Sequence, residues 1–359
     1  MAYRISARDR VAFKRCRRAW DLGSRNRQDY EPVGSSGAVD LDRAVHDALA
    51  VYYFPGMWEW NRSVVQPLVH QALERSLRGQ QDAGADEQAC EQALTRGRAL
   101  LDAYAAWAPT VDNFTPVRID VDLEVNIPDP DVPYADLVTP DGRAIRYTDR
   151  VDLVGIDEHD AYWAIQHRIV TNGWAELDML QLDERSVVWA WAWPHFYLGM
   201  RVVGTVYNEI RVDAGEPEET VSGVVPDQQR MRHRRMYAQA HQIPRDRVRI
   251  EGTDWFRRTR ITRSDSELAV AGTNLAAEAR AATSPDLAVY PSPAEDVCRD
   301  CLYRPPCLAM NESGDAAEVL ATSYRHRPPE PIEEGRLGGG TWSMNRGAAP
   351  PRWGGRPGS

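Results

Sequence analysis

The sequence predicts a single mixed α/β domain. Three observations carry that expectation. Apolar residues recur at helical spacing through the first third of the chain. A period-two alternation takes over between residues 117 and 169. Helix and strand patterns then return together after residue 176.

Taken in order, residues 7–22 read as a short basic helix. Residues 40–53 read as a second, with Leu41, Val45, Ala48 and Leu49 on one face. The clearest helix spans 87–107, where Cys90, Leu94, Gly97, Leu101 and Tyr104 share a face. Cys90 is therefore expected to be a buried structural thiol. Residues 117–125 alternate as a strand. The turn at Pro140, Asp141 and Gly142 leads to a second strand over 143–156, and Asp157-Glu158-His159-Asp160 turns into a third over 161–169. A helix over 176–193 is ended or kinked by Pro194. A strand at 202–210 and a helix at 264–282 follow. The folded domain is expected to run from 1 to 322, and the Gly-, Pro- and Arg-rich stretch 323–359 is expected to be a disordered tail.

Composition sets limits on function. The 359 residues are 43% hydrophobic, enough for a sizeable core, and the net charge of −10 argues against coating nucleic acid by bulk charge. A local basic groove stays open. Lys14 is the only lysine, so an arginine can stand where a lysine is expected for reasons of composition alone. The basic N-terminus lacks the apolar core of a signal peptide, and no apolar run reaches the length of a membrane span. A reducing, cytoplasmic setting without membrane contact is expected. In such a setting, clustered cysteines read as metal ligands sooner than as disulfides.

Cys298-x2-Cys301-x5-Cys307 forms such a cluster near the end of the predicted domain. Two cysteines in one turn and a third five residues on supply three corners of a site. Cys16 is the available fourth, and its use would staple the chain ends together. By spacing alone, the site suits zinc slightly better than an iron–sulfur cluster. The plain alternative is a set of unrelated buried thiols.

Tyr290-Pro291-Ser292-Pro293 followed by Cys298-x2-Cys301-Leu302-Tyr303-Arg304-x2-Cys307 resembles the C-terminal signature of RecB-like nucleases with a [4Fe–4S] cluster. The AddB nuclease domain and the CRISPR-associated iron–sulfur exonucleases are of this type. Residues 6–20, which hold Arg15-Cys16-Arg17-Arg18-Ala19-Trp20, resemble the family's N-terminal cysteine segment. The resemblance covers roughly residues 3–310. It implies a restriction-endonuclease-like (PD-(D/E)XK) core with a helical N-terminal part, and a [4Fe–4S] cluster on Cys16, Cys298, Cys301 and Cys307.

The resemblance also implies catalytic positions. His46, in Ala44-Val45-His46-Asp47, resembles the family's helical metal ligand, and Asp152, in Asp149-Arg150-Val151-Asp152-Leu153, resembles its metal-binding aspartate. Active members hold Mg2+ or Mn2+ there. The next motif departs: Gln166 and Arg168 stand where the family writes Glu-x-Lys. The scarcity of lysine can account for Arg168. Gln166 is different, because a neutral amide binds a hard divalent cation far more weakly than a carboxylate. Asp183-Glu184-Arg185-x3-Trp189 stands where the family has its Gln-x3-Tyr helix, and Gln181, four residues before Arg185, reads as the family's glutamine only in a shifted register.

Residues 230–263 carry eleven arginines against three acidic residues, with Tyr237, Trp255 and Phe256 interleaved. Arg232, Arg234, Arg235, Arg257 and Arg258 are the candidate DNA contacts, a pattern that suits single strands or ends. Arg8, Arg10, Lys14, Arg15, Arg17 and Arg18 form a second basic patch beside Cys16. The expected function is a nuclease-derived, DNA-binding protein with lost or weakened cleavage, with scope for a protein partner. The alternatives are an active metal-dependent exonuclease with a remodelled site, and an iron–sulfur sensor or scaffold.

Overall fold

The computed structural model describes residues 2–34, 38–171, 173–197, 200–212 and 247–328. Strand β1 (Tyr3–Ser6) leads into helices α1 (Ala7–Arg15) and α2 (Arg17–Gly23), and a short strand β2 (Tyr30–Pro32) follows. A helical layer comes next: α3 (Leu41–Tyr52), α4 (Arg62–Asp82) and α5 (Glu87–Trp107). The chain continues through β3 (Phe114–Asn126), β4 (Ile145–Asp157), β5 (Tyr162–Val170), α6 (Leu177–Gln181), α7 (Glu184–Phe196) and β6 (Val202–Arg211). Hairpin strands β7 (Val248–Gly252) and β8 (Phe256–Thr262) precede α8 (Asp265–Thr283). Short helices α9 (Glu295–Cys298), α10 (Arg304–Asn311) and α11 (Ala316–Ser323) and strand β9 (Tyr324–His326) complete the described chain.

The fold is mixed α/β, as the patterning predicts. A seven-stranded sheet runs β1-β4-β5-β6-β8-β7, with β3 also paired to β4. β1 with β4 and β5 with β6 are parallel, and the other pairs are antiparallel. One face packs on α3, α4 and α5 through Val45, Leu49, Leu73 and Leu101. The other packs on α7 and α8 through Trp189, Trp193, Leu275 and Ala279. Local chemistry sets the helix starts. Asp40, Asn61, Asp86 and Asp183 cap α3, α4, α5 and α7 by accepting a first-turn N–H, and Ser264 with Glu267 forms a capping box on α8. At Gly97 the α4–α5 crossing is so close that a Cβ would lie 2.9 Å from Leu73.

Several boundaries differ from expectation. The helix over 7–22 is two helices, because Cys16 is extended and caps both. The helix over 176–193 is also two, parted at Leu182, and Pro194 lies inside the last turns of α7. The tail does not start at residue 323. Tyr324–His326 pairs antiparallel with Tyr30–Pro32 to form a second small sheet. Cys90 is buried between α4 and α5, with its Sγ 3.8 Å from the Leu77 carbonyl.

The arginine-rich segment gives the largest correction. Its described part is the β7–β8 hairpin at the sheet's end, and Arg258 is only 1% exposed. Its guanidinium is ion-paired to Asp112 and donates to Tyr53 Oη at 3.1 Å, Tyr104 Oη at 3.0 Å and Asn208 Oδ1 at 3.2 Å. A side chain closed inside the core cannot contact DNA. Removing one partner of a buried ion pair leaves the other charge unsolvated, which costs about 3–5 kcal/mol. Asp112→Ala should therefore lower the unfolding free energy by about that amount. Urea denaturation of the variant beside wild type measures it, and a loss within error of zero would mean that Arg258 finds solvent.

Candidate functional site

Strand β4 has an interrupted edge. Along one side it pairs with β3 over almost its whole length. On the other, β1 covers Ile145–Thr148 and β5 covers Leu153–Ile156. Residues 149–152 lie between those two pairings. The fork brings Asp149 and Asp152 to an opening in the sheet, and the candidate site is built there.

Asp152 and His46, far apart in sequence, meet at this fork. His46 Nε2 lies 3.7 Å from Asp152 Oδ2 and 3.0 Å from the carbonyl of His167. Its Nδ1 lies 2.9 Å from the Asp42 carbonyl, one helical turn back on α3. Carbonyl oxygens only accept, so a ring facing two of them is best satisfied as the doubly protonated imidazolium. Burial works against that charge, but Asp152 and Asp42 outweigh it and raise the His46 pKa to about 10. Asp152 also accepts from the His167 N–H at 2.9 Å. Burial pushes its pKa up, yet the hydrogen bond and charge of His46 bring it below the usual range.

The side chain of His167 turns toward α3 and α5. It stacks on Tyr53 with centroids 5.6 Å apart, and Asn208 Nδ2 lies 2.9 Å from its Nδ1. Asn208 in turn donates to Tyr104 Oη at 2.8 Å and accepts from Arg258. Nδ1 is therefore an acceptor, and the ring is neutral. Burial holds its pKa at about 3. Tyr53, Asp112 and Asn208 carry no signal in the sequence, and Tyr104 shows there only as part of a helix's apolar face. Their common property is a polar tip inside an apolar element, which appears only when five segments converge.

Gln166 is buried, and its Oε1 has no hydrogen-bond partner among the described residues. Strand alternation places Gln166 and Arg168 on the opposite face of β5 from the His167 ring. Arg168 is partly exposed and lies over the Tyr207 ring at 5.9 Å, with no carboxylate paired to it among the described residues. Asp149 is the missed acid. Arg185 donates to it through two nitrogens, both at 3.0 Å, and Trp189 Nε1 and Tyr147 Oη donate at 2.6 and 2.9 Å. Arg185 also donates to the Arg150 carbonyl at 3.2 Å, closing part of the fork. The four-residue spacing of Arg185 and Trp189 places both on one helix face, a signal present in the sequence.

The donors at the fork are one carboxylate, one imidazole, one carbonyl and a nearby neutral amide. With His46 protonated that set is neutral, and Asp149, the other acid at the opening, is taken up by Arg185, a poor match to a hard divalent cation. Among the described residues, no group of three or more His, Cys, Asp or Glu side chains is arranged to hold a metal ion.

Cys16, Cys298, Cys301 and Cys307 all line one cavity of about 410 Å3, and the absence of a metal-holding group among the described residues extends to these thiols. The Ser292 N–H lies 3.4 Å from Cys16 Sγ, and Arg18 Nη1 lies 3.5 Å from Cys307 Sγ. Burial, with the other three cysteines nearby, pushes the Cys301 thiol up. Protein contacts hold the same region. Tyr303 Oη donates to the Tyr30 carbonyl at 2.7 Å, and Tyr324 Oη donates to the Leu302 carbonyl at 2.7 Å.

Arg232, Arg234 and Arg235 lie outside the described residues. Arg257 is largely buried and paired to Glu209, so it too is withdrawn from the expected surface groove. The patch beside Cys16 is partly consumed internally. Arg10 is buried against Glu278, Lys14 pairs with Glu184 and Glu278, and Arg17 stacks on Phe13 and Tyr290.

No protein-family model and no curated protein matches the chain. Among solved structures, the crystal structure of SSO0001 aligns with 77% of this chain and 88% of that one, at 11% identity and a TM-score of 0.29. No helix among the described residues is long and apolar enough to cross a membrane.

The two histidines bend the pH–stability curve in opposite directions. His167 has a folded pKa below its unfolded value, so unfolding takes up a proton and stability falls as pH drops from about 6.5 toward about 3. His46 has a folded pKa above its unfolded value. Its contribution is complete below about 6.5 and is lost as pH rises toward about 10. Denaturant titrations from pH 4 to 10 should show His46→Gln with a flattened alkaline limb and an acid limb like that of wild type. An unchanged alkaline limb would contradict the imidazolium at the fork.

Proposed function

We propose that this chain is a RecB-like PD-(D/E)XK nuclease-fold protein that binds DNA and has lost, or greatly weakened, phosphodiester cleavage. The observation that carries the reading is the meeting of His46 and Asp152 at the split edge of β4. Both residues were selected by motif alone. The weakened chemistry follows from the donor set. With Gln166 in place of a carboxylate, both acids at the fork are already engaged: Asp152 by His46 and the His167 N–H, and Asp149 by Arg185, Trp189 and Tyr147. Mg2+ or Mn2+ would have to displace the imidazolium proton and then accept a single carboxylate.

Cys16, Cys298, Cys301 and Cys307 suit a [4Fe–4S] cluster. All four line one pocket, and the resemblance to the cluster-bearing nucleases favours a [4Fe–4S] centre there over zinc. N–H groups directed at two of the sulfurs are the kind of neighbours that tune such a centre. Once bound, the cluster would supply a covalent clamp between the chain ends.

Two measurements test these readings. Full-length protein incubated with end-labelled single- and double-stranded DNA should retain DNA at low salt without shortening it, with either Mg2+ or Mn2+. Metal-dependent shortening that Asp152→Asn abolishes would establish an active exonuclease instead. Failure to retain any DNA would leave an iron–sulfur scaffold. Separately, protein purified without oxygen should be brown and contain iron and acid-labile sulfide. Cys301→Ser should lose the metal and destabilise the domain, while Cys90→Ser should keep it. Stoichiometric zinc without sulfide would refute the cluster.

A further inference from the structure

A second feature lies at the carboxyl ends of the parallel pair β5–β6, the end of a sheet at which ligands commonly settle in α/β folds. Trp174, partly exposed on the connection after β5, carries two guanidinium groups. Arg257 lies 5.3 Å and Arg211 5.6 Å from its ring centroid. The indole is held firmly in place. Glu209, with a side chain 0% exposed, accepts from the Ala175 N–H at 3.1 Å and pairs with Arg257. Arg257 also donates to the Ala175 carbonyl at 2.6 Å. Both polar groups of the residue after Trp174 are thus tied to one buried ion pair. Burying a carboxylate to hold a partly exposed indole is costly for stability alone.

The register connects this platform to the fork. Glu209 stands beside Arg168 on the neighbouring strand, and Arg211 stands beside Val170. Arg168 directly follows His167, whose main chain contacts both Asp152 and His46. A partly exposed cation on β5 is therefore followed, on the connection that leaves the same strand, by an aromatic ring with two guanidinium groups against it. Single-stranded nucleic acid is recognised by this combination: phosphate on a cation, and an unpaired base stacked on an aromatic–guanidinium platform. Duplex DNA offers no free base face to such a platform.

We propose that Trp174, held in place by Arg211 and the buried Arg257–Glu209 pair, is a base-stacking platform for a single DNA strand whose phosphate is held by Arg168. The proposal rests on the DNA-binding reading above and assigns its strand preference. Binding of a fluorescein-labelled oligothymidylate, and of a duplex of equal length, is measured by anisotropy with the full chain. Trp174→Ala should weaken single-strand binding about ten-fold, within the range known for stacked bases. It should leave duplex binding and the salt slope unchanged, since no charge is removed. Trp174→Phe should restore most of the affinity, and Arg168→Gln should reduce the salt slope by about 0.7.

A Trp174→Ala affinity within two-fold of wild type, or an equal loss on duplex and single strand, overturns the platform. If wild type binds neither DNA, the DNA-binding reading itself fails. Should the alanine variant not fold, oxidative footprinting of wild type decides the question. Trp174 should be protected when the oligothymidylate is bound, and unchanged oxidation overturns the proposal.

Discussion

Everything near the fork depends on one charge that cannot reach water. Arg258 belongs to β8, yet the two terminal nitrogens of its guanidinium are held by Asp112 from the start of the sheet layer, Tyr53 from the end of α3, Tyr104 from α5 and Asn208 from β6. A buried ion pair is weak evidence for net stability, since desolvation offsets most of the attraction. Its effect is to limit the alternatives. α3 and α5 each have one position relative to the sheet at which Tyr53 and Tyr104 reach the guanidinium, and a slide of either exposes a buried donor at a cost of about 1–3 kcal/mol. Apolar packing by itself tolerates such slides far better.

That constraint passes directly to the site. Asn208 hands the network on to the ring of His167, and the main chain of His167 then faces Asp152 with its N–H and His46 with its carbonyl. From the other side of the sheet, Arg185 and Trp189 lock Asp149, three residues before Asp152. The opening in β4 is therefore braced on both faces. Between the braces lies a carboxylate matched to an imidazolium, an arrangement already neutral without a metal. A neutral amide at Gln166, beside the His46–Asp152 pair, fits that balance. With two acids and no cation, the fork would hold an unbalanced buried charge.

How much of this was legible beforehand follows physical lines. Periodicity gave the strands β3 to β6 and the helices α3, α5 and α8 to within a few residues, because each has one apolar face. It passed over α4, where Val65, Val69, Leu73 and Leu77 repeat at helical spacing but Pro67 interrupts the run. In place, that proline removes one intrahelical bond and the helix continues. β1 is too short to show a period. The four cysteines and the pair His46–Asp152 were readable because side-chain type and spacing announce them. Arg257 and Arg258 were misread for a related reason: an arginine in sequence looks solvated, and its burial depends on acids at Glu209 and Asp112 that nothing local points to. The Asp149 lock was half visible, with its donors in register and their acceptor unnamed.

The small β2–β9 sheet has a consequence for how the molecule is made. Its strands come from residues 30–32 and 324–326, and β1 must find its place beside Ile145–Thr148 in the middle of the chain. On a translating ribosome, the first thirty residues emerge early and have no partner until most of the polypeptide has been synthesised. Such distant pairings are slow to form, and they leave strand edges and thiols uncovered in the interval. Cys16 would pass that interval as a solvent-accessible thiol. Any factor that guards cysteines during synthesis would meet Cys16 long before Cys298, Cys301 and Cys307 exist.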